Sequence, residues 1–200
     1  MYYKMEYESV LGKIFIAAAE EGIVGLWLEG QKYFEDMGSV KATKKAREQG
    51  VVLLDKTEDL KTSESFKAYD ILERTSDWLD RYFKKQAPEI NEIPLCPSGS
   101  QFRQIVWQIL CEIPWGETIS YGDVAKEVMK RMGKKAMSAQ AVGGAVGHNP
   151  ISIIIPCHRV VGSNGSLTGY GGGIDKKIAL LELEGVDTSE FFVPKKGTAL

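Results

Sequence analysis

Cys157 and His158 are the two residues here whose types and adjacency point to chemistry, in the run Ile155-Pro156-Cys157-His158-Arg159-Val160. Sulfur attacks as the thiolate, and a free thiol with a pKa near 8.5 is mostly protonated at neutral pH. A base must take that proton, and an imidazole is suited to it. A lone Cys-His pair has a plainer reading, a buried structural cysteine beside an exposed histidine. The other thiols, Cys96 and Cys111, fall in a Pro-rich stretch and at a helix end. Three widely spaced cysteines argue against a disulfide framework. Free thiols fit a reducing compartment. Two histidines and no CxxC pair argue against zinc.

The elements around this pair must position it. Ile151-Ser152-Ile153-Ile154-Ile155 reads as a buried strand that ends at Cys157. Adjacent strand residues point to opposite faces. Cys157 and His158 therefore share a site only if the backbone turns there, or if a water links them. Upstream, Phe102, Ile105, Val106, Ile109 and Leu110 mark an amphipathic helix that Ile113-Pro114-Trp115-Gly116 breaks. Ser120-Tyr121-Gly122-Asp123 resembles a capping box, and Val124, Ala125 and Val128 carry that helix inward. A basic loop follows with Lys130, Arg131, Lys134 and Lys135. A third helix, from Ser138 to about His148, is built of small residues: Ala139, Ala141, Gly143, Gly144, Ala145 and Gly147. Two helices joined by a short basic loop suggest a helix-turn-helix. A close helix–helix contact fits the small residues too, and on this feature alone it is the preferred reading.

The first third reads as a small sheet. Tyr2–Glu8, Lys13–Ala19 and Ile23–Leu28 are β-rich runs separated by turn residues. Residues 31–60 are polar and uninformative. From Glu64 to Lys85 the period becomes helical, with Phe66, Tyr69, Leu72, Leu79, Tyr82 and Phe83 on one stripe, read as a core face. Pro88, Pro94, Pro97 and Ser98-Gly99 mark a linker.

Composition excludes disorder and gives no hint of a polyanion partner, with a formal net charge of -2. Its distribution says more. Residues 101–180 hold 9 Lys/Arg against 5 Asp/Glu, whereas residues 1–95 hold 14 against 18. A mildly basic segment points weakly to a polyanion surface. No apolar run approaches the roughly 20 residues of a membrane span. The polar start is unlike a signal peptide, and a cytoplasmic location is expected.

With these residues in view, the sequence resembles the methylated-DNA–protein-cysteine methyltransferases. The run Ile155–Val160 is similar to their active-site signature. Gly116-Glu117-Thr118-Ile119-Ser120-Tyr121-Gly122 resembles the start of their helix-turn-helix. Ala141-Val142-Gly143-Gly144-Ala145 with Asn149-Pro150 resembles their recognition helix and the turn after it. Gly169-Tyr170-Gly171-Gly172-Gly173 resembles the substrate loop, and Leu180-Leu181-Glu182-Leu183-Glu184-Gly185 the last helix. These blocks stand in family order across residues 101–185. Gly25–Gln31 and the tail Phe192–Gly197 are similar to less regular parts of bacterial members.

The resemblance implies an α+β chain. A small N-terminal α/β domain of ribonuclease H-like type would span 1–92, with a linker at 93–100. A mainly helical domain with the helix-turn-helix and active site would span 101–185, with a tail at 186–200. It implies a monomer without cofactor or metal that acts on double-stranded DNA containing O6-alkylguanine, and on O4-alkylthymine. The alkyl group would move once per molecule onto Cys157, with the damaged base flipped out of the stack. His158 would deprotonate Cys157 through a water, and Glu184 would orient His158. Tyr121 would turn the target phosphate and donate to the guanine ring nitrogen. Asn149 would brace the active-site strand against the recognition helix. The carbonyls of Cys157 and Val160 would accept from the guanine amino group, the Gly171 amide would face the guanine oxygen, and Gly169 and Tyr170 would line the substrate loop. Arg159 would hold the loop, and His148 would sit at a surface helix end. Ala139, Gln140, Gly143, Gly144, Lys134 and Lys135 would meet DNA.

Three departures stand out. Gln140 occupies the place of an inserting arginine. Ser152 replaces a pocket proline. The loop around Met129–Met137 is about five residues longer than in shorter members. A non-catalytic sensor of the same fold would lack Cys157. A Cys-His hydrolase would turn over, whereas a thioether product would not.

Overall fold

The computed structural model describes residues 2–34, 51–53 and 63–194. Most of the polar stretch 31–60 and the Lys195–Gly197 end of the tail lie outside the described residues. The β-rich runs form β1 (Tyr2–Ser9), β2 (Gly12–Ala19) and β3 (Gly22–Leu28), joined by β4 (Val51–Leu53). The order is β3-β2-β1-β4, antiparallel except that β4 runs parallel to β1. Ser9 closes the first turn, since its hydroxyl donates to Gly12 O at 2.6 Å and accepts from Leu11 N.

β3 is buried along its whole length, and its outer edge is covered from two places. Ile23 N donates to Pro94 O and Cys96 N to Ile23 O, at 2.8 and 2.7 Å. Leu26 N donates to Pro150 O and Ser152 N to Leu26 O, both at 2.8 Å. The Pro-rich linker is thus laid against the sheet at Leu95. Gly22 permits this approach, because a Cβ there would lie 2.6 Å from Pro94 O.

The helical period after residue 63 becomes α1 (Ser63–Phe83). Ala68, Leu72, Leu79 and Tyr82 recur on one face and are buried. Phe66 departs from the expected stripe. It is 59% exposed, since it sits two residues before Ala68 and so faces away from the sheet.

α2 (Gln101–Cys111) starts at Ser100, whose hydroxyl accepts from Arg103 N. β5 (Ile119–Ser120) leads directly into α3 (Tyr121–Arg131), and Ser120 caps it by accepting from Asp123 N at 3.1 Å. The acid of the expected capping box serves differently. Asp123 Oδ2 accepts from the Ser120 hydroxyl at 2.6 Å. Lys130 and Arg131, expected in a loop, lie in the last turn of α3. Good helix formers carry the helix that far, and Arg131 pairs with Glu112 and Glu127. Residues 132–138 connect to α4 (Ala139–Gly147), capped by Ser138. Val142, Ala145 and Val146 are its buried face, and Trp107 Nε1 donates to Ala145 O at 3.0 Å. On the small-residue face, a Cβ at Gly143 would lie 3.9 Å from the Tyr121 ring of α3, while Gly144 and Gly147 have open space beside them. β6 (Val160–Val161) pairs in parallel with β5, and α5 (Ile174–Leu183) closes the core. One hydrophobic cluster runs from Tyr3 to Leu180 through both halves.

Candidate active site

The run Ile151–Ile155 is not a strand. Ile151 makes one bridge to Leu26, and tight turns follow. Ile154 N donates to Ser152 O at 2.8 Å, across a three-residue turn centred on Ile153 with φ of +69°. A β-branched residue there is strained by about 1–3 kcal/mol. The bonds to β3 and the Asn149 side chain hold it. Full burial explains the misleading sequence pattern, because an apolar run reads the same in a buried turn as in a buried strand.

Cys157–Arg159 then form one turn of 3-10 helix. This backbone turn meets the condition under which Cys157 and His158 share a site. β5–β6 pairing sets the start of α3, and hence Tyr121, beside that turn.

Cys157 is 6% exposed. Its sulfur accepts from Asn149 Nδ2 at 3.1 Å. The same amide donates to Ile155 O at 2.8 Å and Ile151 O at 3.3 Å, while Asn149 Oδ1 accepts from Ile151 N. Asn149 thus holds the turn that stands in place of the expected strand, and it also touches the sulfur. Burial pushes the Cys157 thiol up. The Asn149 amide, the Lys177 ammonium and the backbone N–H groups of Cys157 and His158 pull the other way.

His158 is fully buried, and its Nε2 lies 2.8 Å from Glu184 Oε1. Burial alone would raise the Glu184 carboxyl. The hydrogen bonds and charges of His158 and Arg159 overcome it and hold the group at about 2. An ionised carboxylate only accepts, so His158 Nε2 carries the proton toward it and Nδ1 is left as the acceptor. Nδ1 is buried and has no hydrogen-bond partner. Burial holds the imidazole below its ordinary value, and Glu184 opposes that.

Arg159 grips Glu184 through Nε to Oε2 at 2.7 Å and Nη2 to Oε1 at 3.0 Å, and donates through Nη1 to Ile113 O. Its expected bracing role agrees with this geometry. Tyr82 of α1 also donates to Glu184 Oε1, at 2.6 Å.

Lys177 was not anticipated. It is buried on α5 and donates to Val160 O at 2.6 Å and Thr168 O at 2.9 Å. Desolvation lowers it to about 8, and the Cys157 sulfur opposes that. The spacing of Lys177, Leu180, Leu181 and Glu184 along one helix face was the signal that could have found it. The two carbonyls expected to meet a guanine amino group each already accept one bond. Val160 O takes Lys177, and Cys157 O takes Val160 N.

Tyr121 Oη donates to Thr168 O at 3.0 Å. Gly169 has φ of +76°, and a Cβ there would lie 2.6 Å from that hydroxyl. Tyr170 is buried, with its ring edge-on to His158 at 6.4 Å. Ser152 Oγ donates to Gln31 Oε1 at 2.9 Å, so the departure from proline is met by a polar side chain of the N-terminal half. Gly171 O accepts from Lys32 N at 2.8 Å.

A groove of about 870 Å³ reaches the site's neighbours Tyr121 and Tyr170, while Cys157, His158, Asn149 and Glu184 are not among its lining residues. Its walls include Tyr121, Ala139, Gln140, Gly143, Gly144 and the loop Thr168–Gly173, together with Lys32 and Tyr33. Lys134 and Lys135 are exposed just before α4. His148 caps α4 and stacks on Tyr33 at 4.1 Å. The structure therefore places Cys157, His158, Asn149 and Glu184 together as buried residues, with Tyr121 and Gly169–Gly171 lining the groove. Gln140, Gly143 and Gly144 stand on its rim.

Comparison with known proteins follows this division. Residues 1–97 match the 6-O-methylguanine DNA methyltransferase, ribonuclease-like domain. Residues 101–186 match the 6-O-methylguanine DNA methyltransferase, DNA binding domain. The methylated-DNA–protein-cysteine methyltransferase of Methanosarcina acetivorans is 37% identical over 186 residues, 92% of this chain and 99% of that protein. That of Mycobacterium tuberculosis is 52% identical over 108 residues, 54% of this chain, and the match spans only 62% of its length. The crystal structure of Mycobacterium tuberculosis OGT in complex with DNA superposes with a TM-score of 0.68 and 33% identity, covering 94% of each chain. With both family matches in order and a relative covered almost end to end, the chain belongs to the 6-O-methylguanine DNA methyltransferase family.

Proposed function

We propose that this chain repairs alkylated DNA by direct reversal, moving an alkyl group from O6 of guanine, and from O4 of thymine, onto Cys157 Sγ. His158 Nδ1 receives the thiol proton through a water. The thiolate attacks the alkyl carbon, the carbon–O6 bond breaks with its electron pair staying on the base, and the base takes up through water the proton that His158 had received, becoming guanine. The product is an unactivated thioether, whose thiolate is too poor a leaving group for water or a neighbouring amine such as Lys177 to displace. Reaction therefore stops at one alkyl group per chain.

The observation that carries this reading is the combination at Cys157. Its sulfur rests on the Asn149 amide, while the adjacent His158 has a buried free Nδ1 and an ionised Glu184 on its other nitrogen. The buried sulfur requires the alkylated base to leave the duplex and enter the groove. Helices α3 and α4 act as a helix-turn-helix with α4 along DNA. Ala139, Gly143 and Gly144 give the close approach that small residues allow, Gln140 fills the gap in the stack, and Lys134 and Lys135 meet phosphates. Tyr121 exchanges its Thr168 partner for the base or its phosphate. The chain acts as a monomer in the cytoplasm.

A duplex labelled at the O6-methyl group, mixed with excess protein, tests this. All label should move to the peptide containing Cys157, and Cys157→Ala should bind the duplex and take none. Multiple turnovers, or label on Cys96 or Cys111, would overturn the reading.

A further inference from the structure

Tyr82 lies far from Cys157 in sequence, on α1 of the N-terminal half, yet it touches the inner end of the relay. It is fully buried. Its hydroxyl donates to Glu184 Oε1 at 2.6 Å and stands 3.5 Å from His158 Nε2. Its ring is fixed on three sides. Trp78 stacks on it at 5.3 Å, and Phe83 and Trp115 meet it edge-on at 5.5 and 5.1 Å. A buried phenol needs one acceptor, and many backbone carbonyls would serve. Here the acceptor is the carboxylate oxygen that His158 also uses.

Glu184 Oε1 thus receives Tyr82, His158 and Arg159 Nη2, while Oε2 receives Arg159 Nε. Donors to one carboxylate share one negative charge, and each weakens its pull on the others. Arg159, from the 3-10 turn, makes two of these four hydrogen bonds. Lys177 of α5 also faces His158, while Tyr170 and Cys157 complete the surrounding titratable groups. Among these, Tyr82 is the one contributed by the N-terminal half. Burial and the Glu184 charge hold its phenol protonated, so it is a fixed donor.

We infer that Tyr82 is a positioning residue for alkyl transfer: it locks Glu184 Oε1 against His158 and moderates the carboxylate's hold on the imidazole proton, so that the N-terminal half tunes the base. This rests on the relay proposed above. Removing the hydroxyl leaves Glu184 with more charge for His158, which stabilises the imidazolium. His158 then stays protonated, and unable to accept from Cys157, up to a higher pH.

The test is Tyr82→Phe, which deletes one oxygen and keeps the ring. The acid limb of the single-turnover rate on an O6-methylguanine duplex should move up by about half a pH unit, with duplex affinity unchanged. His158 should show the same displacement by 15N NMR, with His148 as the internal control. Site-specific 3-fluorotyrosine at position 82 donates more strongly and should move both midpoints down. It retains the hydroxyl and ring, so it decides the matter even if Tyr82→Phe folds poorly. Unmoved midpoints, or midpoints moved the same way by both changes, would overturn the inference. A uniform drop in rate at every pH would mark Tyr82 as merely structural and overturn it equally. Failure of the transfer reading is separate, since Cys157 would then take no alkyl group while the His158 midpoint still responded.

Discussion

The side-chain amide of Asn149 donates to the sulfur of Cys157 across 3.1 Å. The contact favours the thiolate, because an N–H donor stabilises the charged form of its acceptor. Asn149→Asp keeps the shape and sets an anion against the sulfur. The thiol should rise by about one to three units, slowing transfer at pH 7 by about tenfold or more. The deficit should shrink as the pH is raised to 10 in single-turnover assays. An equal deficit at every pH would show that Asn149 acts only on the turn.

Glu184 lies well below the ordinary carboxylate value, at about 2. A lowered acid contributes stability that is fully present above about pH 5 and is lost as the pH falls toward 2. The swing is about 3 kcal/mol. Glu184→Gln should flatten that acid slope in urea melts. At pH 7 it should cost about 3–5 kcal/mol, because Arg159 is left buried without its counter-charge. A loss of stability between pH 5 and 2 as large in Glu184→Gln as in the parent would show that another group carries the acid slope.

Lys177 is a buried cation acting on the Cys157 sulfur, and it also satisfies Val160 O and Thr168 O. Lys177→Met keeps the volume and removes the charge. Transfer at pH 7 should fall by about tenfold, recovering in part at alkaline pH where the thiolate forms unaided. A rate equal to the parent at pH 7, in folded protein, would confine Lys177 to bracing the two carbonyls.

Gln140 stands exposed in the first turn of α4, beside the groove. Arginine there would add a cation close to DNA phosphates. Gln140→Arg should tighten duplex binding and steepen its salt dependence by about one counterion. A salt slope and a repair rate that both stay at the parent values would place residue 140 outside the DNA contact.

Much of this site is legible in the chain because its signals are local. The helix starts at Ser120 and Ser138 follow from capping chemistry, and the Cys157-His158 pair is adjacent in sequence. The α1 stripe was legible through Leu72, Leu79 and Tyr82, while Phe66 broke it because one aromatic on a helix carries no sign of which side it faces. The Ile151–Ile155 turn was hidden for a different reason. Its conformation is imposed by β3 and Asn149, against the preference of Ile153. Tyr82 and Gln31 reach the site from more than 70 residues away in sequence, and no local pattern encodes which buried acceptor a tyrosine or glutamine will meet.

β3 is the outer strand of the sheet, and such an edge offers unpaired N–H and C=O groups to any passing chain. Here Pro94, Cys96, Pro150 and Ser152 take those groups at Ile23 and Leu26. Two of the four belong to the loop that carries the nucleophile. Were the two halves to part, an apolar edge would open at the same moment as the site fell apart. The contact that shapes the reactive loop is thus also the chain's guard against self-association, and variants that loosen it should precipitate as well as lose activity.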